Sequence, residues 1–207
     1  MFYEPARRNH GLRYDPFKAL VAPRPIGWIG TKGKDGSVNL APYSFFNAVA
    51  GRPPMVMFSS EGEKDSIRNL RETGEFTCSI VGLDLAEAMN VTSAGVARGV
   101  DEFQLAGLRA VPSRLVGAPY VAGAPAALEC RLLQIIEPLD LDGQRCENII
   151  AIGQVVGVHI EDWVIEDGLV KVERFKPVAR LGYNDYAAVE RVFEMGRPAN
   201  GGNVLQK

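Results

Sequence analysis

Apolar and polar positions along the chain switch between a period of two and a period near 3.6, and the switches mark the elements. The residues from Ile26 to Thr31 and those from Ser37 onward suit strands, with KGKD and Gly36 between them as a hairpin turn. After the RPP break, MVMFSS predicts a further strand. KDSIRNLRETG then takes helical spacing, with Asp65 or Ser66 as N-cap and Gly74 as its stop. EFTCSIV is the next predicted strand. In DLAEAMNVT, Leu85, Ala88, Met89 and Thr92 share one helical face behind Asp84 as N-cap, and DEFQLAGL predicts a single helical turn closed by Gly107. The segments from Ala126 to Glu137 and from Asn148 to Ile160 predict two long strands joined through Asp142 and Gly143. DGLVKV predicts a last strand, YAAVERVFEM a C-terminal helix, and GRPANGGNVLQK a flexible tail.

Six or seven strands with hairpin turns, and few helices long enough to serve as crossovers, favour a mainly β fold, an antiparallel β-barrel with helical decorations, over a doubly wound parallel sheet. The 207 residues, 46% hydrophobic and 23% charged, suit one domain with one substantial core. A formal charge of -2 and a pI near 5.8, with no Lys/Arg cluster, argue against nucleic acid and anionic membranes as partners. Cys78, Cys130 and Cys146 are odd in number and form no CxxC pair, which argues against a disulfide framework or a zinc site and suits a reducing cytoplasm. MFYEPARRNHGLRYDP lacks the apolar run of a secretory signal, so the chain is expected to remain cytoplasmic.

Between Pro23 and Ser60 an apolar stretch is interrupted by Asn39, Pro42, Ser44 and Asn47 and ends on Ser59 and Ser60. Polar groups cost free energy if buried without a partner, so a ligand that satisfies them is one economical explanation. SSEGEKDSIRNL supplies anion-binding chemistry. A helix starting near Ser66 presents free amides, and Ser59, Ser60, Lys64 and Ser66 add hydroxyl and ammonium donors. The plain alternative is an ordinary cap followed by a solvated lysine. NLAPYSFFN offers aromatic cover together with an irregular segment around Pro42 whose backbone groups are free of the ladder; its aromatics also suit core or dimer contacts. Together the two segments describe a pocket for a flat ring with a phosphate anchor, the shape of FMN. Other chemistry is poorly supplied. Only His10 and His159 are present, His159 reads as a surface or interface residue without a partner in its strand, GxGxxG is missing, and GTKGKDG lacks the Ser or Thr of a P-loop.

PRPIGWIGTKGKDGSVNLAPYSFFNAV, PPMVMFSS, KDSIRNLRETGEFTCSIV, DEFQLAGL, GQVV and RLGYNDY, in that order across residues 14 to 187, resemble the flavin reductase-like family of FMN-binding split barrels. The resemblance implies a homodimeric split barrel, its core within those residues, with FMN near the subunit interface. It implies that Asn39, Leu40, Ala41, Pro42, Tyr43 and Ser44 line the flavin ring, that Ser59, Ser60, Lys64 and Ser66 hold its phosphate, and that Trp28 and Thr31 contribute from the preceding strand. Reductases of this family that use NADH or NADPH often carry GDH before the strand corresponding to IIAIGQVV. This chain reads CENIIAIGQVV, with Asn148 at the position expected to face the nicotinamide. An amide hydrogen-bonds but carries no charge. No protein acid or base is required, because the flavin supplies the electron chemistry. The leading expectation is an FMN-dependent oxidoreductase that reduces flavin with NAD(P)H, with service to a separate monooxygenase as one role for the product. The others are a flavoredoxin-like carrier reduced by a protein partner, and a flavin-binding barrel without turnover.

Overall fold

The computed structural model describes residues 1–196; the predicted tail lies almost wholly outside them. In chain order the strands are β1 (Arg24–Pro25), β2 (Gly27–Lys32), β3 (Val38–Tyr43), β4 (Phe46–Gly51), β5 (Pro54–Glu61), β6 (Glu75–Ile80), β7 (Ala110–Val111), β8 (Tyr120–Val121), β9 (Ala126–Ile136), β10 (Asn148–Ile160), β11 (Ile165–Glu166), β12 (Leu169–Val170), β13 (Val178–Arg180) and β14 (Tyr186–Ala188). The α-helices are α1 (Phe17–Leu20), α2 (Asp65–Thr73), α3 (Ala86–Val91), α4 (Glu102–Leu105) and α5 (Val172–Phe175).

Seven strands form one antiparallel sheet in the order β3-β2-β6-β9-β10-β5-β4. Its two edge strands, β3 and β4, are consecutive in the chain and joined only by Ser44 and Phe45. Three Cα steps reach at most about 11 Å, whereas the edges of a flat seven-stranded sheet would lie about 29 Å apart at the usual strand spacing. The sheet must therefore curl until its ends meet, and the Ser59 amide, which donates to the Phe45 carbonyl at 2.8 Å, ties that corner.

Side-chain alternation then creates two apolar regions. On β2, Ile29 points into the barrel with Phe58, Phe76, Cys78 and Cys130, while Trp28 points outward to Leu40, Met89, Phe103 and Val121 beneath α3 and α4. β2 has both faces covered, which is why five of its six residues are buried. Gly30 is required there: a Cβ would stand 2.4 Å from the Pro119 carbonyl and 2.5 Å from Thr77 Oγ1. The outer edge of β3 is covered by Glu102, which is buried, and whose carboxylate accepts from the Leu40 amide at 3.0 Å. Burial pushes that carboxyl group up from the ordinary carboxylate range.

Several expectations are corrected. Pro42 does not interrupt the strand. It pairs in register with Trp28 within β3, and proline is tolerated because β3 is an edge strand. The position before α2 is occupied by Lys64, not Asp65 or Ser66, and no side chain caps the helix. Asp84 lies within the 3-10 turn Leu83–Leu85, and α3 begins only after it. DGLVKV contributes a two-residue strand to the small hairpin β11–β12, whose turn residues Asp167 and Gly168 both take positive φ. YAAVERVFEM is not helical over its described residues. Its first three form β14 on β13, because Arg180 and Tyr186 are register partners and the guanidinium lies 4.4 Å from the tyrosine ring centroid. His159 does have a partner: its Nε2 is 2.5 Å from the carboxylate of Glu129 on the adjacent strand.

Candidate functional site

A cavity of about 750 Å³ opens where the sheet closes on itself. Its floor is the end of β3 (Pro42, Tyr43), the Ser44–Phe45 corner, and Ser59 and Glu61 at the end of β5. Lys64 before α2 and Asn148 at the start of β10 stand on one side, and Met89 and Asn90 of α3 on another. The roof comes from the two ends of the chain, with Phe17, Lys18 and Arg24 from the first and Arg180 to Tyr186 from the second. This size is typical of a pocket for a single organic ligand.

The two segments singled out in the sequence meet here through hydrogen bonds. Asn39 Nδ2 donates to Ser66 Oγ at 2.9 Å, which locks β3 to the first turn of α2. Asn148 Nδ2 donates to Ser59 Oγ at 3.0 Å, across paired strands. Pro42, Tyr43, Ser44, Ser59, Lys64 and Asn148 reach the cavity wall, whereas the other candidates sit behind it. Ser60 is buried and donates to the Gly62 carbonyl, shaping the turn before Lys64. Ala41 packs against the barrel interior and Leu40 against the outer core. Thr31 accepts from Asn69 of α2 at 3.1 Å. Trp28 is fully buried and donates its indole N–H to Thr92 at 2.8 Å; Thr92 in turn donates to the Met89 carbonyl, so the tryptophan anchors the helix that forms one wall.

The charge of its lining marks the cavity as a ligand site. Tyr43 belongs to the buried core, and burial pushes its phenol up against the opposing effect of the Ser66 and Ser60 hydroxyls. Lys18, Arg24, Lys64 and Arg180 line the cavity against a single carboxylate, Glu61. The uncapped first turn of α2 adds the positive end of a helix dipole beside Lys64. An anionic ligand with hydrogen-bond acceptors fits this lining.

Sequence reasoning missed Lys18, Arg24, Asn90 and the segment from Arg180 to Tyr186. Arg24 and Arg180 stood inside quoted strings, PRPIGW and RLGYNDY, but nothing in their spacing showed that β1 pairs with β13 across more than 150 residues.

The comparisons with known proteins agree with this architecture. Residues 20–178 match the flavin reductase like domain. An uncharacterized protein of Deinococcus radiodurans is 38% identical over 202 residues, covering 89% of this chain and 84% of its own. Among solved structures, nitrilotriacetate monooxygenase component B from Bacillus cereus superposes with a TM-score of 0.86 at 30% identity, covering 94% of this chain and 98% of that one. Flavoredoxin of Desulfovibrio vulgaris (Miyazaki F) superposes with a TM-score of 0.75 at 25% identity, covering 94% and 97%. Sheet order, corner closure and sequence match lead to one assignment: the chain belongs to the flavin reductase-like family and has its split-barrel fold.

Proposed function

We propose that the chain binds FMN in this cavity and acts as an oxidoreductase, passing electrons from NADH or NADPH to flavin, as a cytoplasmic homodimer that can serve a separate monooxygenase. The observation that carries the reading is the cavity at the closing corner of a flavin reductase-like chain, with Lys64 and the uncapped first turn of α2 beside it. Lys64 and the amides of the first turn of α2 would hold the phosphate, with Ser66 and Ser60 shaping that turn. Pro42, Tyr43 and Ser44 would face the ring, with Asn39, Leu40 and Ala41 fixing their strand and Trp28 and Thr31 supporting it from behind. Bound flavin supplies the redox chemistry. The protein's part is to orient it, to satisfy its edge and to limit water around it.

Asn148 is the residue we assign to the nicotinamide side. Its amide is held by Ser59, so its orientation is fixed and it brings no charge. Asn148→His is expected to speed reduction of bound FMN by pyridine nucleotide, measured by anaerobic stopped flow; an unchanged rate in a folded, flavin-loaded variant would remove the docking assignment. The same neutral amide, together with the likeness to flavoredoxin, favours a second reading in which a protein partner reduces the flavin. An anaerobic visible spectrum of the FMN-supplied protein separates the readings. Bleaching on addition of NADH or NADPH identifies a reductase and its donor. Flavin that stays oxidised until dithionite is added identifies a carrier, and failure to bind flavin would sink both.

A further inference from the structure

FMN carries one phosphate, yet the cavity presents positive charge on two separate elements. Lys64 stands before α2, whereas Lys18, Arg24 and Arg180 come from the terminal segments. Arg24 and Arg180 are direct register partners across β1 and β13, an arrangement in which like charges destabilise a sheet. None of the three has an acidic partner within 4.0 Å among the described residues. Glu61, the carboxylate of the cavity wall, is instead the register partner of Asn148.

The bonds these side chains make leave donors over. Arg24 is buried, its Nη1 donating to the carbonyls of Lys18 and Val21 and its Nη2 to Leu181 at 2.6 Å, while its Nε–H has no partner. Arg180 uses Nη2 on the Tyr183 carbonyl and lies over the Tyr186 ring. Lys18 Nζ and Arg24 Cζ stand 5.8 Å and 5.9 Å from the Phe45 ring centroid. Arg180 gives only Nη2 to a protein acceptor among the described residues, and the remaining donors of such a planar guanidinium match a carboxylate or phosphate. An adjoining recess of about 700 Å³ shares Arg24, Ser44, Phe45, Ser59 and Asn148 with the cavity and adds Leu20, Phe46, Met57 and Ile150. It offers apolar cover to the body of a molecule whose anionic end lies at the arginines.

We propose that Lys18, Arg24 and Arg180 form a second anion subsite, distinct from the Lys64 anchor, which takes the carboxylate or phosphate of an organic second substrate with an apolar body. This rests on the flavin reading of the cavity. Because both terminal segments carry the subsite and Arg24 bonds to both, an anion there also holds the roof closed over the ring.

The test is calorimetric titration of the FMN-loaded full chain with sodium benzoate and, separately, with inorganic pyrophosphate. At least one should bind saturably, benzoate alone identifying a carboxylate substrate and pyrophosphate alone a phosphate-bearing one. Arg180→Gln and Lys18→Gln should each weaken that binding by about tenfold or more, the loss caused by removing a charge-assisted contact, with FMN affinity unchanged. Lys18 is exposed on α1 and accepts substitution without loss of packing, so it tests the subsite even if Arg180→Gln loosens the roof. No binding of either anion, or equal binding by both variants, overturns the proposal. A parallel loss of FMN affinity overturns it too, by showing that these cations serve the flavin phosphate. Anion binding to a chain that takes up no FMN would sustain the subsite while removing the flavin reading.

Discussion

Lys64→Ala is expected to weaken FMN binding by ~1.5–3 kcal/mol, roughly ten- to 150-fold in Kd, because it removes a charge-assisted contact to a phosphate. The residue is exposed and makes no ion pair among the described residues, so its ammonium group is available to a ligand. Its backbone occupies the N-cap position, and that role survives truncation of the side chain. Fluorescence titration of FMN should therefore show the loss while the thermal midpoint of the flavin-free protein stays in place. Equal affinity in the variant would move the phosphate away from α2.

The second large effect is on stability and lies away from the cavity. Glu129 is buried, with 1% of its surface exposed, and accepts from the amides of Arg114 (2.8 Å) and Leu115 (2.6 Å) as well as contacting His159. Glu129→Ala strands three partners at once and should cost ~3–5 kcal/mol, the range for breaking a buried charged network, read from urea unfolding. Burial alone would push this carboxyl up, but the two amides and the histidine outweigh it and the net shift is downward. A depressed folded-state value means that the contribution is present above the ordinary carboxylate range near about 4.3 and is lost as pH falls through the folded value. Glu129→Gln should flatten that acid-side slope. An unaltered slope would show that the stability is set elsewhere.

The strands of the barrel were legible because their alternation is local. Ile29 and Trp28, or Phe76 and Cys78 against Thr77, announce which residues share a face without any knowledge of neighbours. The candidate phosphate and ring segments were legible for a similar reason, since KDS before a helix and NLAPYS before an aromatic pair are contiguous strings. The terminal strands escaped because tertiary pairing overrode propensity. Tyr186–Ala188 opens a segment with helical spacing, yet β13 offers it a ladder and Arg180 a ring contact. Glu129 and His159 escaped because they are diagonal neighbours on strands paired through two register shifts, and no spacing in the sequence encodes a bulge. Lys64 reached the cap position, and not Asp65, because Asp65 turns to Arg68 within the helix.

Ser59 and Asn148 are diagonal neighbours on paired strands β5 and β10 and share a hydrogen bond although 89 residues separate them in the chain. During synthesis the first five strands emerge long before β10 exists, and closing so wide a loop carries an entropic cost that only the completed pairing repays. The cavity wall is therefore complete only once β5 and β10 have paired. No amino-terminal fragment contains it, and a ligand that occupies it acts on the equilibrium of the entire barrel, raising the unfolding temperature in proportion to the logarithm of its concentration above Kd.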